Sequence, residues 1–227
     1  MSATAAGGSQ RELRAQVVAA ARRLSEAGLN PGRSGNLSAR VAGGFVLTPS
    51  GLAYERLRPE DLVLLDADGR TAAGGREPST EWRLHRDIYA HRADAGAVVH
   101  THSPYATTLA CLRRGIPPFH YEVAFAGGHD VRCAPYATFG TQDLSDHAVA
   151  ALEARRACLL ANHGAVALGA SLADAMDMAE KLEALARLYW QALQAGEPAL
   201  LDAVEMDRVL GKFAGYGKDR GETRGSD

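Results

Sequence analysis

The segment Ala97-Val98-Val99-His100-Thr101-His102-Ser103-Pro104 constrains this chain more than any other. A short apolar run ends abruptly in His100-Thr101-His102, and a proline follows two residues later. Such a run, bounded by a helix-permitting proline, reads as a buried strand. Residues i and i+2 of a strand point to the same face, so His100 and His102 can converge on one shared partner. Chance alone gives about 0.3 His-x-His pairs in a chain with this many histidines, so the pattern needs a third ligand before it means metal.

His163 is the third candidate. It lies in LLANHGAVALG, where a second apolar strand breaks at small residues, and Gly164 beside it allows close backbone approach. A carboxylate would complete the set. Glu81 follows Ser79-Thr80 at a predicted helix start, where an acidic side chain is also favoured by the helix dipole. His85 lies one helical turn further on and offers an alternative ligand, and spacing leaves the choice between the two open. His91, His120, His129 and His147 have no partner pattern and read as surface or packing residues.

The remaining strands and helices say what carries these side chains. Apolar residues recur at helical spacing from Gln10 to Ala27, ending at Gly28. Strands are predicted over 37–41, 45–47, 62–65, 97–101, 158–161 and 166–168, with a loop and short strand within 127–139. Helices are predicted over 80–91 (capped by Ser79 or Thr80), 104–113, 141–154, 172–193 and 203–213. Strands and helices mix without strict βαβ alternation. This predicts an α/β (α+β-like) single domain, a central and mainly antiparallel sheet covered by helices on both sides. The domain is expected over 10–216, between a disordered tail at 1–9 and a mobile charged tail at 217–227.

Composition excludes several functions. The formal net charge of −2 supplies no basic field for nucleic acid. No apolar run approaches the roughly 20 residues of a membrane helix. The opening MSATAAGGSQ has no charged-then-apolar signal pattern, which predicts a cytoplasmic protein. Cys111, Cys133 and Cys158 form no CxxC pair, so neither a disulfide framework nor a cysteine zinc site is indicated. Neither GxxxxGK nor GxGxxG occurs, and the lysines (Lys181, Lys212, Lys218) all fall late in the chain.

The ordered set SGNLSAR, TPSG, PSTEWRLH, AVVHTH, HYEVAFAGG, CAPYATFGT and LLANHGAVALG resembles the class II aldolase/adducin family. The resemblance runs from about Gln10 to Tyr216, and an ordered set is far more specific than any one motif. It implies a zinc site of His100, His102, His163 and Glu81, which selects Glu81 over His85. It implies a phosphate site at Asn36, Ser50, Gly51, Ser79 and Thr80. Hydroxyls, an amide and backbone N–H groups near a helix start can hold a phosphate without lysine. Ser50 and Thr80 each exchange one hydroxyl residue for the other relative to aldolases of the family. The resemblance further implies Tyr121 as an acid, Tyr216 as a tyrosine reaching a neighbouring subunit, and Phe139 and Phe213 as an apolar wall for an aldehyde.

The implied activity is a class II aldolase reaction. A ketose 1-phosphate, such as L-fuculose 1-phosphate, would split reversibly into dihydroxyacetone phosphate and a short aldehyde through a metal-stabilised enediolate. No lysine lies in the motif segments, so an imine route has no evident candidate, whereas a Lewis acid does the same work. Zn2+ is the implied cofactor, one per subunit, with Co2+ or Mn2+ as alternatives. The implied partners are a small phosphorylated sugar and further copies of the chain, in a homotetramer with sites between subunits. Relatives of the same fold carry out sugar-phosphate epimerisation, dehydration or decarboxylation. The GGHDVRCAPYATFGT segment favours cleavage over epimerisation. A non-catalytic adducin-like module would need none of His100, His102, His163, Glu81 or Tyr121.

Overall fold

The structure is a computed structural model that describes residues 3–32 and 34–215. Seven strands form one sheet: β1 (Asn36–Val41), β2 (Gly44–Leu47), β3 (Val63–Asp66), β4 (Ala97–Thr101), β5 (Arg132–Ala134), β6 (Ala157–Leu160) and β7 (Gly164–Gly169). Their spatial order is β3-β2-β1-β4-β7-β6-β5. Every neighbouring pair is antiparallel except β5 with β6, which is parallel, so the sheet is mixed at one edge. The long connection through a helix between β5 and β6 permits this, since parallel pairing needs a crossover.

Helices cover both faces. On one side, α1 (Ala3–Glu26), α3 (Pro104–Cys111) and α5 (Leu172–Ala195) share a core with Leu37, Ala97, Val99 and Leu159. On the other, α2 (Trp82–His91) and α4 (Gln142–Ala151) pack on Phe45, Leu47, Val98, Leu160 and Val166. Alternate residues of β4 thus enter opposite cores, and all five are buried. This is the pattern of a strand covered on both faces.

Helix α5 illustrates how the sequence fixes this layer. Ala175, Met178, Ala179, Leu182, Leu185, Ala186 and Tyr189 recur at three- and four-residue steps and are all buried. Burying each large side chain contributes about 1.5–3 kcal/mol. Ser171 and Asp174 close a capping box at its start, and Gly196 follows its end. The Glu183 carboxylate on the same helix accepts from the N–H groups of Tyr105 and Ala106 at 2.8 and 2.9 Å. It thereby docks the open N-terminus of α3, which follows the His-Thr-His segment.

Some boundaries differ from those expected. Helix α1 starts at Ala3 rather than Gln10, so the expected tail at 1–9 is helical from Ala3. Apolar spacing begins only at Leu13, whereas Ala3, Ala5 and Ala6 are strong helix formers that carry no such period. Helix α6 (Ala203–Gly215) runs two residues past its expected end. Residues 54–56, 59–61 and 121–126, for which the sequence predicts no element, each form a short 3-10 turn. The expected tail at 217–227 and Tyr216 lie outside the described residues. Among the described residues, no helix is long and apolar enough to cross a membrane.

Candidate active site

The sheet brings three distant segments to one end. β1 and β4 pair so that Asn36 lies opposite His100. β4 and β7 pair so that Thr101 lies opposite Ala165. The tight β6–β7 turn therefore sets His163 beside the end of β4. Asn162 makes that turn with φ at 54°, a left-handed conformation that asparagine tolerates. Gly164 is required by crowding: a Cβ there would stand 2.3 Å from the Thr101 carbonyl and 3.0 Å from His102 Cδ2.

The three imidazoles form a compact cluster with ring centroids 4.8–4.9 Å apart. His100 Nε2 lies 3.0 Å from His102 Nε2. His100 Nδ1 faces the Ala165 carbonyl at 2.9 Å, which places a proton on Nδ1 and turns Nε2 toward the cluster. His102 is fixed through its backbone, whose N–H donates to Asn30 Oδ1 at 3.2 Å.

Glu81 approaches from the entry to α2. It occupies the N-cap position, yet its side chain makes no capping hydrogen bond. Ser79 Oγ instead accepts from the Glu81 N–H at 3.3 Å. The N-cap thus falls one residue after Thr80 and two after Ser79, the expected caps, and the Glu81 carboxylate is left to turn inward. It lies 3.2 Å from His100 Nε2 and 3.4 Å from His163 Nε2. Its Oε2 accepts from Asn36 Nδ2 at 2.8 Å, while the buried Oε1 has no hydrogen-bond partner.

The charges follow from this geometry. Burial alone would raise the Glu81 carboxyl, but His100 first, then His163 and the Asn36 amide, outweigh it and hold the group well below the usual carboxylate range. Burial pulls His100 down, and the Glu81 carboxylate more than reverses that, so His100 is raised. His102 and His163 are each pushed down to about 4, by burial first and next by His100. Both are neutral imidazoles at pH 7, with lone pairs able to bind a cation.

The donor set fits a divalent metal. Three histidine nitrogens lie within 4.8 Å of one another. Tetrahedral ligands about 2.0–2.1 Å from a zinc-sized ion stand about 3.3 Å apart. The distances of 3.0, 3.2 and 3.4 Å among His100, His102, His163 and Glu81 are close to that spacing. The orphaned Glu81 Oε1 is a further lone-pair donor, and an N3O set suits zinc, cobalt or manganese.

A cleft of about 310 Å³ opens on this cluster. Glu81, His102 and His163 line it together with Asn36, Ser50, Gly51, Ser79, Thr80 and Phe139. His100 lies wholly buried. An antiparallel bridge between Pro49 and Pro78 joins two of the expected phosphate segments. The bridge is flanked by Ser50 N–H donating to Glu77 O and Ser79 N–H donating to Thr48 O. Gly140, with φ at +75°, packs against Thr80 so closely that a Cβ would meet its carbonyl at 2.9 Å. That contact ties the loop bearing Phe139, which lines the cleft, to the segment bearing Thr80.

Other expected residues are elsewhere within this chain. Tyr121 does not line the cleft and is 47% exposed. Phe213 stacks on Phe125 with ring centroids 4.3 Å apart, 6.2 Å from the Tyr121 ring, and lines a different pocket. Tyr216 lies outside the described residues. Conversely, Tyr136 lines the cleft, and Asn30 and His85 support it from behind. Tyr136 lies within the CAPYATFGT motif, which could have pointed to it; nothing in the sequence signals the burial of Asn30.

With this geometry in hand, similarity to known proteins is informative. Residues 15–190 match the family described as Class II Aldolase and Adducin N-terminal domain. A 5-methylthioribulose-1-phosphate/5-deoxyribulose-1-phosphate aldolase of Rhodospirillum rubrum is 54% identical over 210 residues, 92% of this chain and 95% of that protein. A 5-deoxy-D-ribulose 1-phosphate aldolase of Bacillus thuringiensis is 44% identical, over 90% of this chain and 97% of that protein. The solved structure of an L-fuculose 1-phosphate aldolase superposes with a TM-score of 0.86 at 40% identity, covering 89% of this chain and 96% of that one.

Proposed function

The chain belongs to the class II aldolase and adducin family, and from that premise we propose that it is a metal-dependent aldehyde-lyase cleaving a ketose 1-phosphate to dihydroxyacetone phosphate and a short aldehyde. One observation carries the reading. Three histidines and a buried carboxylate converge at a cleft that Ser50, Ser79 and Thr80 also line.

In this reading His100, His102, His163 and Glu81 hold one divalent ion, with zinc first and cobalt or manganese as alternatives. When bound, the ion supplies a Lewis acid for the substrate ketone and its neighbouring hydroxyl. The chain's own residues do the rest. Ser50, Gly51, Ser79, Thr80 and Asn36 anchor the phosphate, and this positioning supplies part of the rate. In cleavage, the C4 hydroxyl loses its proton, the C3–C4 bond breaks, and its electron pair passes to C3. Glu81 returns a proton to C3, giving dihydroxyacetone phosphate, and in the synthetic direction it removes that proton. Tyr121 exchanges the proton at the aldehyde oxygen, assisted by Tyr216.

Because Tyr121 and Phe213 lie outside their own chain's cleft, this reading requires a second copy to deliver them, as in a homotetramer with sites between subunits. The functional domain is taken as residues 10–216, of which the matched stretch 15–190 is the greater part. For the substrate, 54% identity to an enzyme named for 5-deoxy and 5-methylthio ribulose phosphates favours a ketose 1-phosphate with an apolar C5 end over L-fuculose 1-phosphate. The exposed rings of Tyr136 and Phe139 at the cleft suit such an end.

The test is cleavage of 5-deoxyribulose, 5-methylthioribulose and L-fuculose 1-phosphates by zinc-loaded protein, detecting dihydroxyacetone phosphate with a chelator control. Chelator-sensitive release supports the reading, and the preferred sugar names the substrate. No release from any of the three with one metal bound per chain overturns aldol cleavage and points to epimerisation, dehydration or decarboxylation.

A further inference from the structure

Behind Glu81 lies a file of polar side chains of which the chemistry above uses only Asn36. Asn36 Nδ2 stands 2.8 Å from Glu81 Oε2, and Asn36 Oδ1 stands 2.5 Å from His85 Nε2. His85 Nδ1 is 2.7 Å from Ser38 Oγ, which is 2.8 Å from the Tyr89 hydroxyl. Asn36 is 4% exposed, Ser38 and His85 0%, and Tyr89 6%. Two periodicities interlock to build it. Asn36 and Ser38 are two apart on β1, and His85 and Tyr89 are four apart on α2, so each pair shares one face.

The direction of every hydrogen bond in this file is determined. A carboxylate only accepts, so the Asn36 group facing Glu81 is the amide nitrogen, and its Oδ1 faces His85. His85 must then donate from Nε2, which leaves a lone pair on Nδ1. Ser38 donates to that lone pair. Its oxygen, with its proton committed, accepts from Tyr89. Reversing the Asn36 amide would set an oxygen against a carboxylate, and every link behind it would have to reverse as well, with the His85 proton on Nδ1. A merely space-filling role would be served by apolar side chains at Ser38, His85 and Tyr89. Four interlocked polar groups in a buried layer earn their place only through what they orient.

We propose that His85, Ser38 and Tyr89 are positioning residues that lock the Asn36 amide as a donor to Glu81 and so hold the Glu81 carboxylate in one orientation for proton transfer. His85 therefore acts through Asn36 and is not a metal ligand. Asn36 links this file to the carboxylate with one N–H of its amide, and the second N–H is left for the phosphate contact of the reading above. The inference rests on the reading of Glu81 as the proton-transferring group.

Two measurements test it. In the metal-loaded wild type, NMR of 15N-labelled histidine reports the His85 tautomer, expected to carry its proton on Nε2 with Nδ1 bare. A proton on Nδ1 overturns the proposal, whatever the substrate of the enzyme proves to be. Kinetics with metal content verified give the second. His85→Leu should lower kcat about 10–100-fold, the usual range for groups that orient a metal-site residue, with KM changed less than about twofold. His85→Gln, whose amide can present a donor toward Asn36 Oδ1, should recover most of that loss. Ser38→Ala should fall between them. Equal kcat for the Leu and Gln variants, both with full metal, overturns the positioning role. If His85→Leu does not fold, Ser38→Ala with kcat equal to wild type does so instead. Wild-type protein that releases no dihydroxyacetone phosphate counts against the aldolase reading, while the tautomer result still decides the polarity of the file.

Discussion

His85 makes the stability of the fold depend on pH. Burial first, and the nearby His100 charge as well, push it down to about 3 against a partial opposing pull from Glu81. In the unfolded chain it titrates near 6.5. Above pH 6.5 the imidazole is neutral in both states and contributes nothing. Between about 6.5 and 3 the unfolded chain takes up a proton that the folded chain refuses, so stability falls as pH falls. At pH 5.0 the gap is 1.5 units, or about 2 kcal/mol at 1.36 kcal/mol per unit. His85→Gln lacks this term. Glu81, His102 and His163 are common to both proteins and drop out of the comparison. The stability advantage of wild type over the variant should therefore shrink by about 2 kcal/mol between pH 7.5 and 5.0. For a chain of this length that is about 4–8 °C in Tm. The assay is thermal unfolding of both proteins in chelator, at one ionic strength and one chain concentration, at the two pH values. An equal difference in Tm at both would mean that His85 takes up its proton in the folded state as readily as in the unfolded chain, and the argument from its burial would fail.

Three further predictions concern the site directly. Zinc added at about a thousand times its Kd should stabilise the chelated protein by about 4 kcal/mol, read as a rise in Tm, and His102→Ala should abolish the rise. Gly164→Ala forces a Cβ to within 2.3 Å of the Thr101 carbonyl, so it should destabilise the fold by about 1–3 kcal/mol and weaken metal binding, measured by zinc titration. Glu81→Gln and Tyr121→Phe should each be nearly inactive alone. Subunits of the two mixed at random should regain about one quarter of wild-type activity, since one site in four then draws both intact residues from different copies. No recovery on mixing would refute delivery of Tyr121 by a neighbour.

What the sequence made legible follows from where its signals are local. The strand 97–101 is found with the boundaries its apolar run predicts, and His100, His102 and His163 converge as i, i+2 spacing and a broken strand imply. Each signal is written in consecutive residues. The choice between Glu81 and His85 is not local. Both face the same layer, and what separates them is that Glu81 sits before the helix with its carboxylate released from capping, while His85 is spent on Asn36 and Ser38. Ser38 looks like any polar strand residue and Tyr89 like any helical aromatic. Their burial depends on α2 lying across β1, a contact between segments some 50 positions apart, for which no pattern within either segment speaks. The start of α1 goes unread for the opposite reason: the stretch from Ala3 to Ser9 carries no apolar period.

The residues in and behind the cleft differ in how freely they can change. His100, Glu81 and Asn36 are buried and tied to neighbouring strands by pairing and hydrogen bonds, whereas Tyr136 and Phe139, 53% and 63% exposed, sit on the loop between β5 and α4. A substitution among the first group disturbs the sheet itself. One in the loop alters a surface that the core does not depend on, and such loops tolerate exchange and insertion. Under the proposed reading, exchange in this loop would retune which sugar end is accepted and leave the bond-breaking residues untouched. An engineer redirecting this enzyme should randomise 135–139 and leave the strands alone.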